Sequence, residues 1–358
     1  MTADFTGATF TGAAWFIDGQ FALNAVFTGT RFLGESSFAR VRFEHDTSFE
    51  GATFHGEARF TGTQFGEWAK FDRADFRGAA EFTGARFEHD ASFPGARFGD
   101  RAEFRQVRAA RRGRFEHAQF AGDASFGHAT FRAGVDFRAV RFAGETGFGR
   151  ATLGLADFSS AEFGPDTGFR ETSFTEGVSF STAKFAGAVE FTQAEFGDGV
   201  SFGGARFAKG AGFEDAKFGG PAKFSESYFG APAVFERTRF AADVQFTQAE
   251  FAEGAGFTEA RFAGRAQFRE TTFGDACGFP GACFGGEAVF EYVRFGGPVS
   301  FHDVEFSRPP WIGTSWARLD ERQAAGTWPP GWVVRELGDH PFRLPEGRWG
   351  MLERDVPG

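Results

Sequence analysis

From Phe5 to Phe306, phenylalanine recurs at steps that alternate five and six residues, so this stretch is written in an 11-residue unit of the form F-x4-F-x5. Counted in pairs, the series makes 28 units and 56 marked positions; 54 of these are Phe, and the exceptions are Ala109 and Leu153. The chain holds 55 Phe in all and only Phe342 lies off the series, so the aromatic content is periodic and not merely biased. A fixed period of this kind is the signature of a repeat architecture, in which each unit buries its face against its neighbours.

Two residues before each mark the side chain is small, as in Ala3, Ala8, Ala14, Thr30, Ser36, Val41 and Thr47. A bulky residue at i with a small one at i−2 is the period of two that turns one face of a strand inward. Marks every five or six residues with Gly beside them fit no 3.6-residue helical stripe. Each mark therefore belongs to a very short strand. Between marks lies corner chemistry: Gly at i+2 in FTGAAW, FEGATF and FPGARF, and Gly, Asp, Asn or Pro in the longer link, as in FGPDTGF. Gly reaches the left-handed dihedrals of tight corners, and corners this frequent wind the chain into a coil. Stacking like on like keeps the five/six alternation in phase with two or four sides per turn, and three sides break it. Four sides give 22 residues per turn, 14 turns, and a rod of roughly 65 Å at the ~4.8 Å spacing of paired strands; two sides remain the alternative.

Motifs such as ARFTGTQF, ADFRGAAEFTGARF and AEFTQAEF resemble the pentapeptide-repeat family. The resemblance covers residues 3 to about 306. It implies an all-β, right-handed quadrilateral parallel β-helix with the central Phe and the small i−2 residue inside, Phe27, Phe32, Phe38, Phe43, Phe202 and Phe207 among them. This chain departs from the family pattern in adding a residue to every second repeat, which widens alternate corners, and in seldom carrying Asp or Asn at i−1. Some members of the family are acidic rods that mimic DNA and occupy a type II topoisomerase (gyrase).

The repeat stops at about Ser307, which divides the chain into a repeat domain (1–306) and a tail (307–358) holding five of its seven Trp. An open solenoid end exposes a turn of Phe and unpaired strand edges, so the tail reads as a cap. Ser315 followed by WARLDERQAA and Gly326 reads as a short helix, and GWVVREL with GRWGMLERD as a small hairpin. No such lid precedes Ala3 and Phe5. The first turn either frays, pairs end to end with a second copy, or is preceded by residues outside this sequence.

Candidate chemistry is sparse. FEHDTSF and FEHDASF place His45, Asp46, His89 and Asp90 in matching settings 44 residues apart; stacked two turns apart, the histidines lie ~10 Å from each other, too far to share a metal. Cys277 falls on a small inward position and Cys283 on an outward one, so no disulfide follows. No nucleophile elbow, phosphate loop or metal-spaced Cys/His cluster is present, and neither an enzyme nor a cofactor is expected. A net charge of −10 disfavours direct nucleic-acid binding. No apolar run is long enough for a membrane span, and no signal segment stands at the start, which points to the cytoplasm.

The outer surface carries more information. The residue before the second Phe of a unit is often basic (Arg31, Arg42, Arg86, Arg108, Arg239, Arg261), and the longer corner is often acidic (Asp46, Asp90, Asp123, Asp243), which implies charge stripes neutralised by salt bridges. One stretch, RAEFRQVRAARRGRF, concentrates Arg101, Arg105, Arg108, Arg111, Arg112 and Arg114 around the Ala109 defect. Leu153, 44 residues on, falls on the same side of a four-sided coil. Such a notch could bind an anionic group or a partner's acidic segment, although sequence drift in a tolerant repeat is the simpler account of it. Two readings of function follow: a solenoid scaffold presenting its sides to an unknown protein, and the gyrase-directed DNA mimic, which needs a dense negative face that the basic columns interrupt.

Overall fold

The computed structural model describes residues 2–319, 326–337 and 344–355. It falls into two compact units, Met1–Gly187 and Ala188–Gly358. Among the described residues there is no helix.

In the first unit, two-residue strands pair in parallel with strands 22 residues further on. Ala3 faces Ala25 on what we call side one, Phe10 faces Phe32 on side two, Ala14 faces Ser36 on side three and Phe21 faces Phe43 on side four. The second unit repeats the pattern: Val200 faces Ala222, Phe207 faces Phe229, Ala211 faces Ala233 and Phe218 faces Phe240. Four strands per turn exclude the two-sided coil, and the two units together hold about 14 turns.

Each side lines the interior with one column of rings. Phe27 stacks on Phe49 at 4.7 Å and 3°, Phe32 on Phe54 at 4.9 Å, Phe38 on Phe60 at 5.0 Å and Phe43 on Phe65 at 5.3 Å. Phe202 and Phe207 do the same on Phe224 and Phe229, at 4.9 and 4.6 Å. The ladder spacing of ~4.8 Å is also a comfortable distance between offset flat rings, which is why Phe suits every layer. Columns one and three meet edge to face, as where Phe38 approaches Phe27 at 5.4 Å and 80°. The small i−2 positions leave room for this. Where the small residue before the second Phe of a unit is Thr, its hydroxyl donates to a carbonyl of the preceding turn, as from Thr63 to Phe38 at 2.7 Å and from Thr238 to Phe213 at 2.8 Å, which satisfies these buried hydroxyls.

Corner glycine turns out to serve two needs. At the narrow corners the second residue after Phe is left-handed in every turn, with Gly51 at φ 63 and Arg40 at φ 56. A Cβ on Gly51 would meet nothing within 4 Å, so its dihedral is the whole reason for Gly there. At the wide corners the need is close approach: a Cβ on Gly34 would lie 2.8 Å from the Gly12 carbonyl carbon.

Wide-corner length also explains the second defect. From Val135↔Ala156 to Thr152↔Ser173 all four sides pair at a spacing of 21, and before and after it the spacing is 22. One residue is missing at the corner that follows Leu153. Gly154 makes the shorter path feasible, since a Cβ there would lie 2.3 Å from the Arg132 carbonyl oxygen.

The tail begins differently from the sequence expectation. Ile312 pairs beside Phe290 on side one and Ala317 beside Phe295 on side two, so strand pairing runs past Phe306. Trp316–Arg318, expected to open a helix, is a strand, because Trp316 and Ala317 are buried against the turn beneath. The remainder of the expected helix, 320–325, lies outside the described residues. Trp332–Glu336 pairs antiparallel with Trp349–Arg354, and the latter pairs antiparallel with Trp316–Arg318, closing the edge of side two. Trp328 sits on Phe295 at 5.4 Å and on Phe301 at 6.3 Å, covering the last rings of the unit.

Candidate functional site: an arginine face over a missing ring

Both defects lie on side four of the first unit, with Phe131 between them: Ala109 faces Phe131, and Phe131 faces Leu153. Leu153 keeps the column filled. Ala109 does not. Phe87 still stacks on Phe65 at 4.7 Å, but no ring follows it in the next layer. Phe131 leans into the gap and lies edge-on to Phe115, at 6.2 Å and 85°. Gly113 makes that lean possible, because a Cβ there would lie 2.6 Å from the Phe131 ring. The ladder slackens too: the Arg132 amide donates to the Ala109 carbonyl at 3.4 Å, against 2.8 Å from Ala110 to Phe87.

Over this gap the outward residues of successive turns are arginines in register, Arg86 beside Arg108. Two adjoining hollows share Arg86, Arg108 and Thr130. One, of about 530 Å³, is completed by Phe87, Glu88, Ala109 and Arg132; the other, of about 480 Å³, by Gly84, Gln106 and His128.

The six arginines singled out in the sequence separate. Arg101 pairs with Glu81 and Glu103, each at 3.4 Å, and Arg114 pairs with Glu116 at 3.3 Å. Arg105, Arg108, Arg111 and Arg112 are exposed and have no ion pair among the described residues. Arg86 and Arg132, which complete the arginine lining of the hollow, lie outside the basic stretch read from the sequence. The 22-residue period would have found Arg86, one turn below Arg108. The same period would have found Arg132, one turn above Ala110.

The expected pairing of the stripes is met at Arg42, 3.9 Å from the corner residue Glu44, but not throughout. Of the basic outward residues, Lys184 pairs with Glu162 at 3.0 Å and Lys217 with Glu195 at 2.7 Å, partners in the same column and not at the acidic corners. Several corner aspartates accept from backbone amides one turn on instead: Asp90 from Arg112 at 3.1 Å, Asp123 from Glu145 at 2.9 Å and Asp243 from Arg265 at 2.8 Å. Their charge is committed to the corners of the coil.

Comparison with known families agrees with this geometry. The family model for pentapeptide repeats (9 copies) matches residues 27–75, 38–86, 60–108, 82–130, 169–217 and 246–294. The chain is a pentapeptide-repeat protein. No curated protein matches it. In this repeat protein the remaining candidates are surface features. His45 lies 3.2 Å from Glu67, and the His89 ring 6.4 Å from Trp68. Cys277 is buried, which pushes its thiol well above the usual range, and Cys283 is half-buried; both are free. No group of three or more His, Cys, Asp or Glu among the described residues is placed to hold a metal ion.

Proposed function

We propose that this pentapeptide-repeat protein is a non-enzymatic scaffold that binds another protein through its outer sides. One observation carries the reading: in both units Phe columns fill the interior, so whatever the chain recognises must meet outward residues held at fixed spacing by the ladders. Side four of the first unit is the favoured face, because its unpaired arginines stand out on a chain of net charge −10. The same arginines weigh against the DNA mimic, which needs a continuous acidic face.

The test places a photo-crosslinking residue at position 64, 86 or 130 on side four, and at position 53 or 119 on side two, of the full-length chain in its native cell. The reading expects one discrete protein adduct from side four. Adducts from neither side would overturn it, and inhibition of gyrase supercoiling by the purified chain would transfer support to the mimic. Pairing of two copies through the first turn belongs to the same proposal. Trp15 is 54 % exposed beside the exposed Ile17 and Leu23, and Trp15→Glu should lower the mass measured by light scattering if that turn is an interface.

A further inference from the structure

We propose that the hollow over Ala109 is a binding site for a phosphomonoester, held by Arg86, Arg108 and Arg132. The inference goes beyond the scaffold reading, since the site stands whether a partner protein or a small molecule brings the phosphate. Arg86 and Arg108 are ladder partners, so their backbones lie ~4.8 Å apart. Two arginine side chains rooted that close repel each other unless they splay apart or an anion lies between them, and Glu88 is the one carboxylate lining the hollow. Arg132 approaches from the turn above, and Thr130 adds a hydroxyl on the same strand face.

Three planar forks and a hydroxyl present more donors than the two oxygens of a carboxylate can use. A phosphate monoester, with three terminal oxygens and close to two charges, matches them. The hollow of about 530 Å³ is larger than the phosphate alone, so the ester substituent is accommodated as well. Arg239 and Arg261 form the same in-register pair in the second unit, but intact Phe240 and Phe262 stack beneath them at 5.1 Å. That pair is the internal control.

Calorimetric titration of the full-length chain would use inorganic phosphate, pyrophosphate, a phosphoserine peptide and the same peptide without its phosphate. The site requires saturable binding of at least one phosphate-bearing probe and none of the bare peptide. It requires about a tenfold or greater loss of affinity in R86Q/R108Q and in R132Q, and no change in R239Q/R261Q. A phosphopeptide at least about tenfold tighter than pyrophosphate identifies a modified protein side chain as the source; comparable affinities identify a free phosphate compound. Thermal melts establish that each variant is folded. Absence of saturation up to about 10 mM, equal losses in the two arginine pairs, or R132Q binding like the native chain would overturn the site.

Discussion

Two arginine ladders, Arg86–Arg108 and Arg239–Arg261, occupy the same side of the repeat and differ in what lies beneath and beside them. Under the second, Phe218, Phe240 and Phe262 stack at 4.7 and 5.1 Å without interruption. Under the first, the layer between Phe87 and Phe131 holds only Ala109. At the narrow corner beside the second stand Asp215 and Arg237, joined by two bonds of 2.9 and 3.0 Å. Beside the first stand Gly84, Gln106 and His128. A repeat can therefore lose a core ring and still keep its register, provided a neighbour has somewhere to lean.

The strongest way to break this contrast is to give the second region the first region's defect. Phe240→Ala removes a fully buried ring where Val244, in the place that Gly113 takes beside Ala109, carries a branched buried side chain, so Phe262 cannot lean as Phe131 does. It should cost about 3–5 kcal/mol, read as a lower urea midpoint for the unfolding of the chain. A loss below about 1 kcal/mol would mean that any layer can absorb a missing ring, and that Gly113 is incidental.

Next in size is the pairing of Gly113 with Ala109. Gly113→Ala places a methyl 2.6 Å from the leaning Phe131 ring and should destabilise by about 1–3 kcal/mol. Ala109→Phe should push Phe131 back into its own layer, and Gly113→Ala then becomes tolerable. The double variant should therefore depart from the sum of the single ones by more than about 0.5 kcal/mol. Strict additivity would sink the account of how the gap is accommodated.

These two predictions also mark what the sequence could disclose. The coil and the shared side of Ala109 and Leu153 follow from arithmetic on the Phe spacing, because a stacked repeat converts sequence distance directly into spatial distance; the same arithmetic leaves two or four sides open, and the strand pairing decides for four. The continuation through Ile312 and Ala317 was legible in principle, since the six/five step leads from Phe306 to both, but it was hidden by the change from Phe to other apolar residues. Partner choice among charges was not legible. Whether Arg101 finds Glu81 or Arg108 finds nothing depends on which outward side chains share a ladder and which corner carboxylates are already bound to backbone amides.

A smaller effect tests the corners flanking the two ladders. Gly84, at φ 69 with nothing within 4 Å of a built Cβ, is the relaxed solution, whereas Gln106 holds φ 57 one turn on. Gln106→Gly should stabilise by about 1 kcal/mol and Gly84→Ala should destabilise by a similar amount. Shifts of the urea midpoint in opposite directions are the readout. Equal signs would show that something other than the dihedral governs this corner.

The smallest effect concerns pH and belongs to the second region alone. The Asp215 carboxyl is held below the usual carboxylate range, chiefly by its hydrogen bonds from Arg237; burial opposes this, and the charges of Arg237 and Arg239 assist it. A carboxyl whose folded value is depressed favours the deprotonated native state. Its contribution is present in full above the unfolded value of about 3.9 and is lost as the pH falls through the folded value. Both partners are exposed, so the change in stability is modest and weakens further with salt. A carboxyl-carbon NMR titration should place the Asp215 midpoint below that of a free aspartate, and R237Q should raise it. Asp215→Asn should flatten the acid-side slope of the urea midpoint in the same window. If R237Q leaves the midpoint unmoved, the pair is not formed in solution, and the second ladder is then no better compensated than the first; Arg132, whose place above Arg261 is taken by Gly285, would have to account for any difference in what they bind.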